Sequence, residues 1–274
     1  MYLSIENPAP PPAHPAVRSA VLGRLVAGPE DRDAPPAFSV GLMNAATAPD
    51  ALLSRAVSTQ LREFARRQAA RETVARIAEQ AASGRNQAAV DPAWMNAFVD
   101  HVERAHGERA LTLWGMVLAG EMLSPGSFSV HAMRLLAELP ARTIGLFATA
   151  AAHSLNDVVF QDPCGFTKPE AVALEAAGLI AGGGDTFNLP MAAASLATVA
   201  MEGEHGLGAS LPSPTSFGVY VLTPVGLEWR RLVSSEPALT RARRIAAALS
   251  KGRPGARFHV LGAVANGAAV LETI

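Results

Sequence analysis

The sequence is poor in cysteine and in aromatic residues. Cys164 is the only cysteine among 274 residues, which excludes an internal disulfide. Aromatic residues make up 5% of the chain and hydrophobic residues 49%, so the core is predicted to consist mainly of Ala, Leu and Val. The length allows one large domain or two small ones.

The chain also lacks an excess of charge and any long apolar run. Its formal net charge is −1, so no global field directs it towards nucleic acid or an anionic membrane, and any basic surface must be local. Arg134, Glu138 and Arg142 interrupt the most apolar stretch, so no transmembrane helix is expected. The first residues, MYLSIENPAPPP, lack the basic and apolar regions of a secretory signal, and we expect a cytoplasmic protein.

Motifs for metal binding, phosphate binding and nucleophilic catalysis are missing. His101 and His106 are five residues apart, which does not place them on one helix face as a metal site requires. No Gly-rich phosphate loop follows a strand, Ser210 lacks the second glycine of a nucleophile elbow, and Cys164 has no adjacent base. We therefore predict no metal, no cofactor and no enzymatic activity. An enzyme with a site dispersed along the sequence stays open as an alternative.

Two helices joined by a tight corner form the most distinctive stretch, LTLWGMVLAGEMLSPGSFSVHAMRLLAEL, over residues 111–139. One face of the first helix carries apolar residues at helical spacing, which are Leu111, Trp114, Leu118 and Met122. Trp114 is predicted to be buried and to pack against the preceding helix, which carries Trp94 and Phe98.

The corner itself has clear local signals. Pro125 cannot continue the first helix, and Gly126 can take the positive φ that a sharp corner often needs. Ser129 is predicted to cap the second helix, with Phe128 and Met133 as a hydrophobic staple around the cap.

Glu121 lies one turn before this corner. Its carboxylate could accept hydrogen bonds from the backbone N–H groups of residues 127–130 and so brace the corner. Since no second carboxylate is close in the sequence, we expect this structural role and not that of a catalytic acid.

The fold is predicted to be mainly α, in three parts. Residues 1–49 form a Pro-rich arm, either weakly ordered or docked on a partner subunit. Residues 50–160 form a helical module, which contains a helix capped by Asp50, a helix that starts at Asp91-Pro92 and ends at Gly107, and a later helix that runs to about Leu155.

Residues 161–274 are predicted to form a winged-helix-like α+β module. A short helix ends at Gly178, a strand follows at Leu179-Ile180, and Thr223-Pro224 starts another helix after a strand over residues 219–222. Between the two strands lies an insertion, residues 185–216, with weak order signals. Asn266-Gly267 between apolar runs predicts a C-terminal β-hairpin.

Two arginine-rich helices carry the candidate basic surface. Its residues are Arg55, Arg62 and Arg66 on the first long helix and Arg241, Arg243 and Arg244 near the C-terminus. A solvated helix face is the plain interpretation, and Glu63–Arg67 has the favourable i,i+4 order. A phosphate-binding or partner-binding face is the alternative. The first long helix also carries an apolar stripe, formed by Leu53, Val57, Leu61 and Phe64.

The motif Trp114-x3-Leu118-Ala119-x-Glu121, followed by Pro125-Gly126-Ser127-Phe128-Ser129, resembles the uncharacterised bacterial domain-of-unknown-function family 2806. The resemblance covers about residues 90–230. It implies no known reaction and no catalytic residues. A looser similarity to helical abortive-infection proteins implies an anti-phage role.

Three functions follow from these features. The first is a non-enzymatic bacterial interaction or assembly protein that binds a protein partner or forms a homo-oligomer, without contact to a membrane. The second is a nucleic-acid-binding winged-helix protein, against which the near-neutral charge argues. The third is the enzyme with a dispersed site.

Overall fold

The computed structural model describes residues 51–185, 187–233, 236–264 and 267–274. These residues fold into two compact units, 51–137 and 138–274. The predicted Pro-rich arm, residues 1–49, and the predicted cap at Asp50 lie outside the described residues.

Helices alone form the described part of the first unit. They are α1 (Ala51–Ala82), α2 (Pro92–Arg104), α3 (Glu108–Leu123) and α4 (Val130–Glu138). The Asp91 carboxylate accepts a hydrogen bond from the Trp94 N–H at 2.9 Å, which caps α2 as predicted, with Pro92 in the first helical position. The core of this unit lies where α1 packs against α2 and α3, and its fully buried residues include Val74, Phe98, Val102, Leu118 and Met122.

Gly107 does not end α2. The helix stops at Arg104 and Ala105 is already extended, whereas Gly107 has a φ of +83° and immediately precedes α3. Gly107 therefore allows the chain to turn into α3, because only a residue without a Cβ takes this φ without strain.

The second unit mixes helices and strands. Its helices are α5 (Ala141–Ala152), α6 (Gln161–Cys164), α7 (Lys168–Ala176), α8 (Pro224–Val233) and α9 (Ala238–Ser250). Its strands are β1 (Ser154–Leu155), β2 (Val158–Phe160), β3 (Ile180–Ala181), β4 (Phe187–Met191), β5 (Ala194–Glu202), β6 (His205–Leu211), β7 (Thr215–Leu222), β8 (Arg257–Val264) and β9 (Gly267–Thr273). With the first unit, the chain is a mixture of helices and antiparallel sheets rather than a mainly α protein.

Two antiparallel sheets organise the second unit. The first has the strand order β1-β2-β7-β3, and β4 also pairs with β7. The second has the order β5-β6-β8-β9, and α9 packs against β6 and β8. One core serves both sheets and α9, and it includes Phe160, Leu207, Phe217, Ile245, Leu249 and Phe258.

The division between the units falls earlier than the predicted boundary at residue 160. Helix α5 packs within the second unit, where the rings of Phe147 and Trp229 meet edge to face with centroids 6.1 Å apart. The same helix ends at Ala152 and not near Leu155, because Ser154-Leu155 pairs with Val158-Val159 as strand β1.

The segment predicted as an insertion with weak order signals, residues 185–216, holds strands β4, β5, β6 and the start of β7. Strand β6 reads HGLGASL, in which glycine and alanine stand where β-branched residues would mark a strand. The structure gives the reason for one glycine, since a Cβ on Gly208 would come within 3.1 Å of the Leu196 and Leu261 side chains. Side chains from neighbouring strands fill the space that a larger residue would need.

Candidate functional site

The predicted corner between α3 and α4 is built around the Glu121 carboxylate. Glu121 is 3% exposed, and its two oxygens accept hydrogen bonds from the N–H groups of Gly126 at 2.6 Å and Phe128 at 3.1 Å. Gly126 has a φ of +81°, and the Ser129 hydroxyl accepts a hydrogen bond from the Ala132 N–H at 3.1 Å. The two bonds to Glu121 brace the turn, one residue earlier than the segment 127–130 expected from the sequence.

Aromatic rings connect α2, α3 and the corner. Trp114 is 4% exposed, and its ring meets Phe98 edge to face at 5.6 Å and stacks on His101 at 5.4 Å. The indole N–H of Trp94 donates to the Phe128 carbonyl at 2.6 Å. Leu118 is fully buried beside them and Pro125 is exposed at the turn. The family motif therefore builds a packed helical corner, and the contacts of its residues are structural.

The predicted basic residues of α1 are partly engaged with the protein itself. Arg66 forms an ion pair with Glu63 at 2.8 Å and donates to the backbone carbonyls of Glu103 and Ala105. Hydrogen bonds from Arg66 and Arg67 lower the pKa of Glu63 to about 2. Arg62 is exposed and donates to the Ser58 carbonyl at 3.2 Å, and Arg55 is also exposed.

The arginines of α9 face carboxylates and carbonyls. Arg241 is 4% exposed, donates to the Ser154 carbonyl at 3.1 Å and forms an ion pair with Glu202. Arg244 pairs with Glu236, and Arg243 pairs with Glu272 at 2.7 Å on the surface. The expectation of a basic surface on this helix is thus corrected for Arg241, which lies inside the unit because its guanidinium ties α9 to β1 and β5.

Glu202 is the centre of this buried network. Its carboxylate also pairs with Arg230 at 2.7 Å and accepts the Asn156 N–H at 2.9 Å. Burial alone would raise the pKa of Glu202, but the hydrogen bonds from Arg241 and Asn156 and the charge of Arg230 bring it below its ordinary value. The network stabilises the charged form of the Glu202 carboxylate. The guanidinium groups of Arg230 and Arg241 are largely shielded from solvent.

Two exposed apolar side chains lie side by side on α1. Leu61 is 39% exposed and Phe64 is 65% exposed, and a spacing of three residues places them on the same helix face. We call this pair the α1 stripe. In the sequence both residues continue the apolar stripe that begins at Leu53 and Val57, and Val57 is buried as such a pattern predicts. Phe64 departs from that pattern, because the pattern predicts a buried side chain and Phe64 is largely exposed.

A row of polar side chains crosses the second sheet from β6 to β9. The Ser210 hydroxyl lies 2.7 Å from His259 Nε2, and His259 Nδ1 lies 2.8 Å from the Thr273 hydroxyl. Ser210 was not expected to take part in chemistry, because it lacks a nucleophile-elbow motif. The Asn266-Gly267 signal predicts the pairing of β8 with β9, although a two-residue turn there would set His259 opposite Ile274 and not Thr273. No sequence signal predicts the pairing of β6 with β8.

Cys164 ends the short helix α6. Burial raises the pKa of its thiol to about 12, so the thiol stays protonated at neutral pH. Within the described ranges, no group of three or more His, Cys, Asp and Glu side chains is placed to hold a metal ion. None of the helices in the described part of the chain is both long and apolar enough to cross a membrane.

Comparison with known proteins finds a family model that matches part of the chain. No curated protein and no solved structure matches the chain. The family match begins in α1 and ends in β2, so it starts earlier and ends earlier than the expected range, about residues 90–230. Residues 54–159 match the family described as Protein of unknown function (DUF2806), and over this stretch the resemblance predicted from the Trp114–Ser129 motif is confirmed.

Proposed function

We propose that this chain is an interaction and assembly protein that binds its partner through the α1 stripe. The observation that carries the proposal is the 65% exposure of Phe64 in the middle of a long helix, next to the exposed Leu61. Burying two such side chains against a partner stabilises a complex by roughly 1.5–3 kcal/mol per side chain at most. Single exposed apolar residues are common on surfaces, whereas an adjacent pair on one helix face favours an interface.

A second copy of the same chain fits this surface best. Two α1 helices packed antiparallel, with a two-fold axis between residues 62 and 63, bring Leu61 of each copy against Phe64 of the other. A two-fold interface requires such self-complementarity.

Size-exclusion chromatography with light scattering tests the assembly. We expect the full chain to be a dimer and the Leu61→Ser/Phe64→Ser variant to be a monomer with an unchanged circular dichroism spectrum. Val172→Ser is the matched control, because Val172 is 40% exposed on helix α7 in the other unit. A monomeric wild-type chain, or a dimer that survives the double substitution, refutes assembly through the α1 stripe.

Nucleic-acid binding through a winged-helix-like module is the second candidate. Its support is the element order α5, β2, α6, α7, β3, β7, α8 together with the strand order β2-β7-β3 inside the larger first sheet, which resembles the order of a winged helix. The insertion between the two wing strands then carries β4, β5 and β6. Helix α7, in the place of the recognition helix, reads KPEAVALEA and carries one cation, Lys168, against two glutamates. This composition favours a protein partner over a phosphate backbone.

The anti-phage role and the cytoplasmic location stay predictions of the sequence. An infection assay would test the first, in which cells that express the chain and cells that express the Leu61→Ser/Phe64→Ser variant are compared for phage plaque formation. Equal plaque numbers with and without the wild-type chain refute a defence role.

A further inference from the structure

The row Ser210, His259 and Thr273 has the connections of a nucleophile, a base and a positioning group. Ser210 Oγ lies 2.7 Å from His259 Nε2, and the other ring nitrogen lies 2.8 Å from Thr273 Oγ1. The three residues belong to the neighbouring strands β6, β8 and β9, and in the strand register His259 stands opposite both Gly208 and Thr273. The cross-strand pairing places all three side chains on one face of the sheet, opposite to the core residues Ala209 and Phe258.

The protonation state of the ring suits a base. Burial, together with the positive charge of Arg257, lowers the pKa of His259, so the ring is neutral at neutral pH. A neutral imidazole has one donor and one acceptor nitrogen. When Nδ1–H donates to Thr273 Oγ1, Nε2 is left to accept the hydroxyl proton of Ser210.

Two further features of this sheet face suit an ester substrate. Arg257 stands opposite Ser210 in the register of β6 and β8 and is exposed, so the two side chains leave the same face of the sheet as neighbours. Leu196, 41% exposed, lies over Gly208, two residues before Ser210, next to the buried side chain of Leu261. A carbonyl oxygen that gains negative charge can approach the arginine, and an apolar acyl chain can lie along Leu196.

We propose that Ser210 is a nucleophile that accepts the acyl group of apolar carboxylic esters, with His259 as the base. Ser210 Oγ forms a bond to the ester carbonyl carbon while its proton moves to His259 Nε2. The tetrahedral adduct expels the alkoxide, which takes that proton and leaves as the alcohol. Water then attacks the acyl-serine, gives a proton to Nε2, and releases the carboxylic acid as the proton returns to Ser210.

Arg257 binds the developing negative charge, and Thr273 is a positioning residue that fixes the ring orientation of His259. An ester-cleaving site of this kind corresponds to the alternative of an enzyme with a site dispersed along the sequence. The site lies on the second sheet and not on the α1 stripe, so either proposal can fail without the other.

A fluorophosphonate probe on the full chain tests the nucleophile, with intact mass and peptide mapping as readouts. We expect one probe per chain, attached to Ser210, and no labelling of Ser210→Ala. His259→Gln should slow labelling at least tenfold. Ser216→Ala, which removes an exposed serine from strand β7 of the same unit, should label like the wild type. An unlabelled wild-type chain, a label on Ser216, or an unchanged rate in His259→Gln overturns the proposal.

The pH dependence separates a base from a merely structural histidine. The labelling rate should fall only at acidic pH, below the ordinary histidine pKa of about 6.5, because protonation of His259 removes the acceptor for the Ser210 proton. Thr273→Val should keep labelling at Ser210 but shift the midpoint of this profile. A wild-type labelling rate that does not change between pH 4 and 8, while circular dichroism shows an intact fold, also overturns the proposal.

Discussion

At the scale of single residues, Trp114 has the contacts that its sequence pattern predicts. It is 4% exposed and touches the rings of Phe98 and His101, so removing its side chain leaves a cavity between α2 and α3. Trp114→Ala is expected to lower the free energy of unfolding by roughly 3–5 kcal/mol, measured by urea denaturation. Unchanged stability would contradict the assignment of Trp114 to the core.

Glu121 makes a different contribution, because its carboxylate satisfies two backbone donors. Glu121→Ala leaves the N–H groups of Gly126 and Phe128 without this acceptor, at a cost of roughly 1–3 kcal/mol for the buried Phe128 donor and less for the Gly126 donor, which water can reach. Glu138→Ala is the control, since Glu138 is exposed at the end of α4. Thermal unfolding of both variants is the measurement. Equal melting temperatures for the two variants would show that the bracing bonds add nothing.

At the scale of elements, the turn between α3 and α4 depends on the backbone of Gly126. Its φ of +81° is unfavourable for any residue with a Cβ, and β-branched residues tolerate it least. We expect Gly126→Val to destabilise the chain by roughly 1–3 kcal/mol. Gly145→Ala is the control, because Gly145 lies in helix α5 with open space where a Cβ would lie and should gain roughly 0.5–1 kcal/mol. Similar changes in the free energy of unfolding in both variants would mean that the turn adjusts to a side chain at position 126 without strain.

Elements with local signals could be predicted from the sequence. Asp91-Pro92 starts α2, the Ser129 hydroxyl caps α4, and the Thr223 hydroxyl accepts the Gly226 N–H at 3.0 Å at the start of α8. Each signal acts within four residues, so the sequence contains the whole interaction. The pairing of β8 with β9 was predictable for the same reason, since only residues 265 and 266 separate the two strands in the sequence, although Gly267 belongs to β9 and not to the turn.

Elements that depend on distant partners were missed. Strands β5 and β6 carry many Gly, Ala and Ser residues, and they become strands because β6 pairs with β8, about 50 residues later. The row Ser210–His259 depends on the same pairing and was therefore hidden. The arginine-rich sequence of its helix predicts a surface position for Arg241, whereas its partners Ser154 and Glu202 lie far earlier in the chain.

At the scale of the whole molecule, ion pairs within each unit match part of the positive charge. Ion pairs join Arg66 to Glu63, Arg230 and Arg241 to Glu202, and Arg243 to Glu272. The two predicted groups of arginines also lie on separate units, one on α1 and the other on α9. With a net charge of −1, the molecule has no field that would attract a polyanion over a long distance.

This charge balance predicts weak binding to duplex DNA. Each phosphate that a protein neutralises releases counterions, so six contacts would give a log–log slope of affinity against salt near about −5. We expect a shallower slope and a dissociation constant no tighter than the non-specific range, roughly 10⁻⁴ to 10⁻⁶ M at physiological salt. Fluorescence anisotropy with a labelled duplex over a salt series measures both.

The choice of arginine variants for this measurement depends on which arginine side chains are exposed to solvent. Arg241→Ala would remove a buried ion-pair partner and disturb the fold, so it cannot report on DNA contacts. Arg55→Ala, Arg62→Ala and Arg243→Ala change exposed side chains on both units and leave the Glu202 network intact. A nanomolar complex that weakens steeply with salt and is lost in this triple variant would make the chain a DNA-binding protein. Only exposed cations can neutralise DNA phosphates and release the counterions bound to them.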